Sequence, residues 1–142
     1  MEQVSVQPLL DGSNDYREYS IRENNMKYFK LSEFDSPDMV GSGEAMDAEF
    51  LTRIDQARSI AGVPFKITSG FRTPQHNKKV GGVENSSHII GHAADIACSN
   101  SVYRFKIITS LLKAGFTRIG IADSFIHVDN DPSKSGNVIW TY

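Results

Sequence analysis

Apolar residues recur at helical spacing between Asp47 and Ala61. Phe50, Leu51, Ile54, Ala57 and Ile60 or Ala61 share one face, which predicts a core-covering helix. Asp47 can cap its start, and Gly62 suits its stop. Pro64–Thr68 alternates instead, with Phe65 and Ile67 set against Lys66 and Thr68, and reads as a strand. The stretch SGFRTPQHNKKVGGVENSS is dense in Gly, Ser, Asn and Pro, and predicts a long loop with one short helical turn. Loops of that length inside a compact domain are usually functional or disordered. Asp95–Cys98 resumes a strand. Val102–Ala114 returns to helical spacing, with Val102, Phe105, Ile108, Leu111 and Leu112 as its apolar face and Gly115 as its stop. Arg118–Ala122 and Phe125–Asp129 read as strands separated by Asp123 and Ser124, which is hairpin spacing, and Val138–Tyr142 as a last strand. The order is that of an α+β fold. Residues 1–26 are polar and without clear periodicity, so we expect an irregular N-terminal arm ahead of a single domain over 27–142, whose first apolar cluster lies at Tyr28–Phe34.

Composition narrows the function classes. A chain of 142 residues is one domain by size and long enough to bury a substantial core. A formal net charge of −2 gives no sign of the clustered basic surface that nucleic-acid binding needs. No stretch approaches the roughly 18 apolar residues of a membrane-spanning helix, so membrane insertion is not expected. The N-terminus has neither a basic nor an apolar signal region, and no export signal is expected. The single cysteine, Cys98, can form neither an internal disulfide nor, alone, a thiolate zinc site. Any metal must be held mainly by imidazole and carboxylate.

There are four histidines: His76, His88, His92 and His127. A single histidine is more often a surface residue or a satisfied core group than a ligand. The neighbours of two of them alter that weighting. His88 and Asp95 flank the small-residue segment IIGHAA, and Asp95 opens an apolar strand, where a carboxylate is costly unless paired or bound to a cation. His127 lies inside another apolar strand, FIHVD, at a similar cost. Two histidines and one carboxylate are a ligand set of a catalytic zinc site with one open position. From the residues alone, that reading and separately satisfied polar groups stand about level. His92 reads as a surface or supporting residue, and His76 as loop surface.

The segment SSHIIGHAAD has the form S-x-H-x-x-G-x-A-x-D from Ser86 to Asp95. It follows SGFRTPQHNKKVGG and is completed by FIHVD. Three motifs in this order resemble the zinc D-Ala-D-Ala carboxypeptidase family, in particular its short single-domain members. That group shares its zinc site with D,D-dipeptidases, phage L-alanyl-D-glutamate endopeptidases and the hedgehog signalling domain. The resemblance covers Lys27 to the C-terminus. It implies helices packed on a mostly antiparallel sheet, with the site on the open face. By position it implies His88, Asp95 and His127 as Zn²⁺ ligands, Arg72 beside the substrate carbonyl, and Ser86 near the substrate. A fixed guanidinium aimed at a developing oxyanion is a role that arginine fills better than lysine. For Ser86, a turn-capping role is equally open.

The implied activity is a zinc metallopeptidase cutting peptidoglycan stem peptides or crosslinks, as carboxypeptidase or endopeptidase. A monomer of phage or prophage type is expected, made in the cytoplasm and reaching the wall by release or virion delivery. Such an enzyme needs a carboxylate that carries the proton from water to the leaving amine. Many relatives place Asp or Glu three residues before the last histidine, where this chain has Ser124. Asp129, two residues after His127, projects from the same strand face, so it fits either the base or a group orienting a ligand. Asp123, in the turn, is the other candidate base, and Glu84 comes next. The Ser124 substitution also admits a different class of protein: a zinc-containing binding or structural domain without turnover.

Overall fold

The computed structural model describes residues 26–142, so the arm expected over 1–26 lies almost wholly outside the described residues. Two 3-10 turns, Leu31–Phe34 and Ser42–Ala45, lead into helix α1 at Ala48–Ala61. Asp47 caps α1 by accepting from the Phe50 amide at 2.9 Å, and Gly62 ends it in the left-handed conformation. Strand β1 is Ile67–Ser69, followed by the short helix α2 at Pro74–Lys79, capped by Thr73. Strand β2 is Ala93–Ala97 and helix α3 is Ser101–Lys113. Strands β3 (Arg118–Ile121), β4 (Phe125–Asp129) and β5 (Val138–Thr141) complete the chain.

The strands form one sheet in the order β1-β2-β4-β3-β5. All neighbours are antiparallel except β3 and β5, which run parallel. This is the expected α+β architecture. It divides the sheet into two chemically opposite faces, because side chains alternate along each strand. Ala94, Ile96, Ile126, Val128 and Ile119 point to one face and are fully buried under α1 and α3. Phe50 of α1 and Phe116 meet edge-on there, with ring centroids 5.3 Å apart. The other face carries Asp95, His127, Asp129, Arg118 and Trp140.

Two expectations need correction. The strand expected at Pro64–Thr68 is displaced and shorter, because pairing with β2 begins only at Ile67, while Phe65 is buried ahead of the ladder. In α3, Val102, Phe105 and Leu112 are 63%, 69% and 44% exposed. The helix does bury Leu111 and packs Ile108 partly against the core, as expected, but Ile107 and Ser110 complete the buried face. Two overlapping stripes of similar spacing run along this helix, and docking against α1 selects the one that continues into Ala114. Ser110 sits on that stripe without penalty, since its hydroxyl donates to the Ile107 carbonyl at 2.8 Å.

Candidate metal centre

Asp95 and His127 are paired directly across β2 and β4, and His88 reaches the same point from the loop ahead of β2. The three are buried, and one donor atom from each lies within 4.8 Å of the others. The hydrogen bonds fix which atoms converge. His88 Nδ1 lies 2.7 Å from the Gly70 carbonyl oxygen, which can only accept, so this nitrogen carries the proton and Nε2 faces inward. His127 Nε2 lies 2.7 Å from Asp129 Oδ2, which leaves Nδ1 facing Asp95 Oδ1 at 3.0 Å. His88 Nε2 is 3.4 Å from that same Asp95 oxygen. Two imidazole lone pairs and a carboxylate oxygen therefore point at one another. Three acceptors that close repel unless a proton or a cation lies among them.

The titration behaviour expresses the same demand. Burial opposes charge on Asp95, yet hydrogen bonds to His127 and His88 hold its carboxyl well below the ordinary range. Burial would lower His127, but its hydrogen bonds to Asp129 and Asp95 outweigh this and raise it. Nitrogen and oxygen donors, inward tautomers and a carbonyl or carboxylate behind each imidazole are the features of a zinc site. The residues present fit that ion.

These side chains form the floor of a cavity of about 360 Å³. Arg72 and Ser86 both line it. Arg72 is tethered by Ser69 Oγ and Asn77 Oδ1, at 2.9 and 3.0 Å, and its Nη2 approaches Asp95 Oδ2 at 3.5 Å. Ser86 accepts from the His88 amide at 3.2 Å, so it shapes the turn that delivers His88. Asp129 also lines the cavity but is nearly inaccessible, and both of its oxygens are engaged. Oδ2 faces His127, while Oδ1 accepts from Arg118 Nε at 2.7 Å and from the Asp131 amide at 3.2 Å. Burial opposes its ionisation, but the contact with His127 first, and then those with the Asp131 amide and Arg118, keep its carboxyl below the usual range.

Asp123 and Glu84 are exposed, and neither borders the cavity. His92 is outside the cluster, with Nδ1 2.7 Å from Asn130 Oδ1, where it ties the start of β2 to the end of β4. His76 sits in the first turn of α2. Among the described residues, the cavity also has walls that sequence reasoning did not select. Arg118, Phe125, Lys134, Trp140 and Tyr142 line it, as does the Val80–Val83 loop. Lys134 donates to the Asn85 carbonyl and to Ser87 Oγ, at 2.8 and 2.9 Å. A glycine inside the apolar run RIGIA was the available signal for the Trp140 wall, since it marks a close approach.

No match to a curated protein is found. A family model described as Peptidase M15, a zinc-dependent family, matches residues 27–129. That span covers most of the chain and all three converging side chains, and it places the protein in the peptidase M15 family.

Proposed function

We propose that the chain hydrolyses a peptide bond in bacterial peptidoglycan, with zinc held by His88 Nε2, Asp95 Oδ1 and His127 Nδ1. The observation that carries this reading is the convergence of those three acceptors at the floor of an open cavity, in a chain of a peptidase family. When bound there, zinc supplies a Lewis acid that polarises a carbonyl and acidifies water. Arg72 presents a charged fork beside that point and stabilises negative charge developing on the scissile carbonyl oxygen. Its tethers to Ser69 and Asn77 hold the fork in place before substrate arrives. Ser86 shapes the cavity edge where the substrate main chain would lie. We assign Asp129 the orienting role, because each of its oxygens already accepts a hydrogen bond. A phage-type enzyme acting on the wall as a monomer is part of the same proposal.

A second reading draws on one observation. Among the described residues, the cavity is lined by two carboxylates, Asp95 and Asp129, and both are committed to other groups. A domain that keeps the metal and lacks turnover would look like this. Incubating the zinc-loaded protein with purified muropeptides, with and without chelator, separates the two. Chelator-sensitive release of amino groups is the expected result. Full zinc occupancy with no release would establish the binding-domain reading.

A further inference from the structure

One transverse row of the sheet crosses four strands: Asp95 of β2, His127 of β4, Gly120 of β3 and Trp140 of β5. The third position has no side chain, and the consequence is local. A Cβ on Gly120 would lie 2.7 Å from Trp140 ring atoms. The indole therefore lies flat across β3 where a side chain would otherwise stand. It reaches His127, with ring centroids 5.6 Å apart. It also lies against Arg118, whose guanidinium carbon is 5.0 Å from the ring centroid. Arg118 is fixed at its other edge by Asp129 at 2.7 Å and by the Ser135 carbonyl at 2.6 Å. Asp129 in turn faces His127 Nε2 at 2.7 Å.

We infer that Arg118, clamped between Trp140 and Asp129, is a positioning residue that sets the metal affinity of the site by fixing the imidazole of His127. The inference rests on the metal reading above, although it needs no turnover. Each link follows from charge and geometry. Asp129 is almost wholly inaccessible, and with Oδ1 held by Arg118 Nε at 2.7 Å its carboxylate is set so that Oδ2 meets His127 Nε2 at 2.7 Å. A carboxylate released from that contact could turn about its side-chain torsions, and it would no longer hold the ring plane of His127. Arg118 keeps the Asp129 carboxylate from turning. Trp140 keeps Arg118 in place by stacking on its planar face, a contact that lysine makes less well. Ring orientation matters because the Nδ1 lone pair must aim at the point shared with Asp95 and His88. The relay acts through a ligand and touches no substrate.

The test measures zinc affinity by competition with a chromophoric chelator, and records the visible ligand-field bands of the cobalt-loaded protein. No substrate is used, so the result is independent of whether the protein is a peptidase. Arg118→Gln is expected to bind zinc about tenfold more weakly than the parent and to shift the cobalt bands. A merely architectural arginine would lower thermal stability and leave both readouts unchanged, and that result overturns the inference. If Arg118→Gln fails to fold, Trp140→Leu decides, because Trp140 is only partly buried at the sheet edge. It is expected to show a smaller loss of zinc affinity in the same direction, whereas parental affinity overturns the inference. A parent that binds no zinc overturns it as well. Expected affinities without muropeptide turnover would instead sink the peptidase proposal and leave this one standing.

Discussion

The cavity is built from two halves that are held by different means. The strand half contributes Asp95 and His127, and behind them stand charged groups, Asp129 and Arg118. The loop half contributes His88, Arg72 and Ser86, and their tethers are neutral: the Gly70 carbonyl, Ser69, Asn77 and the backbone bond from the Arg72 amide to the His88 carbonyl at 3.1 Å. A ladder fixes where a side chain points, but a charge buried in a ladder must be balanced by another charge. A loop tied by neutral hydrogen bonds leaves a cation less fully cancelled. The nearest carboxylate oxygen to Arg72 is Asp95 Oδ2 at 3.5 Å, well short of the 2.7 Å contact between Arg118 and Asp129. The strand half thereby supplies two of the three metal-facing groups, and the loop half adds the third, His88, together with the Arg72 cation left available to meet a substrate.

Removing a ligand from the strand half should have the largest effect. His127→Ala is expected to lose most of its zinc and nearly all turnover. Elemental analysis that finds parental stoichiometry would show the site to be wrongly assigned. The loop half should behave differently: Arg72→Ala should lower kcat by about 10²–10³ while zinc content stays at the parental level. Should zinc fall along with kcat, the division of labour breaks down.

Asp129→Asn sharpens the division from the other side. Zinc affinity should fall about 10–100-fold, with turnover at saturating zinc largely kept. A drop of about 10²–10⁴ in turnover at full zinc occupancy would instead make Asp129 the proton carrier. Asp123→Asn, at an exposed turn away from the cavity, should change neither quantity.

The smallest effect is a pH dependence of opposite sign in the zinc-free and zinc-loaded states. His127 is raised in the folded zinc-free protein, so its protonated form stabilises the fold. That contribution is fully present below the ordinary histidine value of about 6.5 and is lost as pH rises through the raised one. The zinc-free protein should therefore melt at a lower temperature at pH 9 than at pH 6.5. The zinc-loaded protein should show the reverse, because protons compete with metal for the same nitrogen. Parallel pH profiles in the two states would mean that His127 does not meet the metal.

What the chain disclosed in advance follows from where each signal is encoded. Helix α1 was legible at both ends because Asp47 and Gly62 each satisfy a terminus with their own chemistry. The face of α3 was only partly legible: Ile108 and Leu111 pack inward, but Val102, Phe105 and Leu112 make as good a stripe as the one that docks, and only contact with α1 chooses. His88, Asp95 and His127 were legible as polar groups set in apolar surroundings, and the match across 27–129 agrees with the resemblance that linked them. Asp129 was placed beside His127 by strand alternation. That its oxygens are committed could not be read, since Arg118 lies on another strand and its approach depends on register. Trp140 lies beyond the matched span, and it reaches the centre only across the bare position at Gly120.

The alternation along β4 has a consequence for the folding of the chain. His127 and Asp129 interleave with Ile126 and Val128, and β4 is the central strand, paired on both sides. A slip of one residue against β2 would turn the imidazole and the carboxylate into the oil of the core and the isoleucine and valine into water. Such a mispaired chain could still be compact and strand-rich, and bulk spectroscopy would barely distinguish it. It could not assemble the three-atom grip. Metal uptake therefore doubles as an assay of strand alignment, and sub-stoichiometric zinc in a freshly refolded sample would count misaligned molecules rather than weak sites.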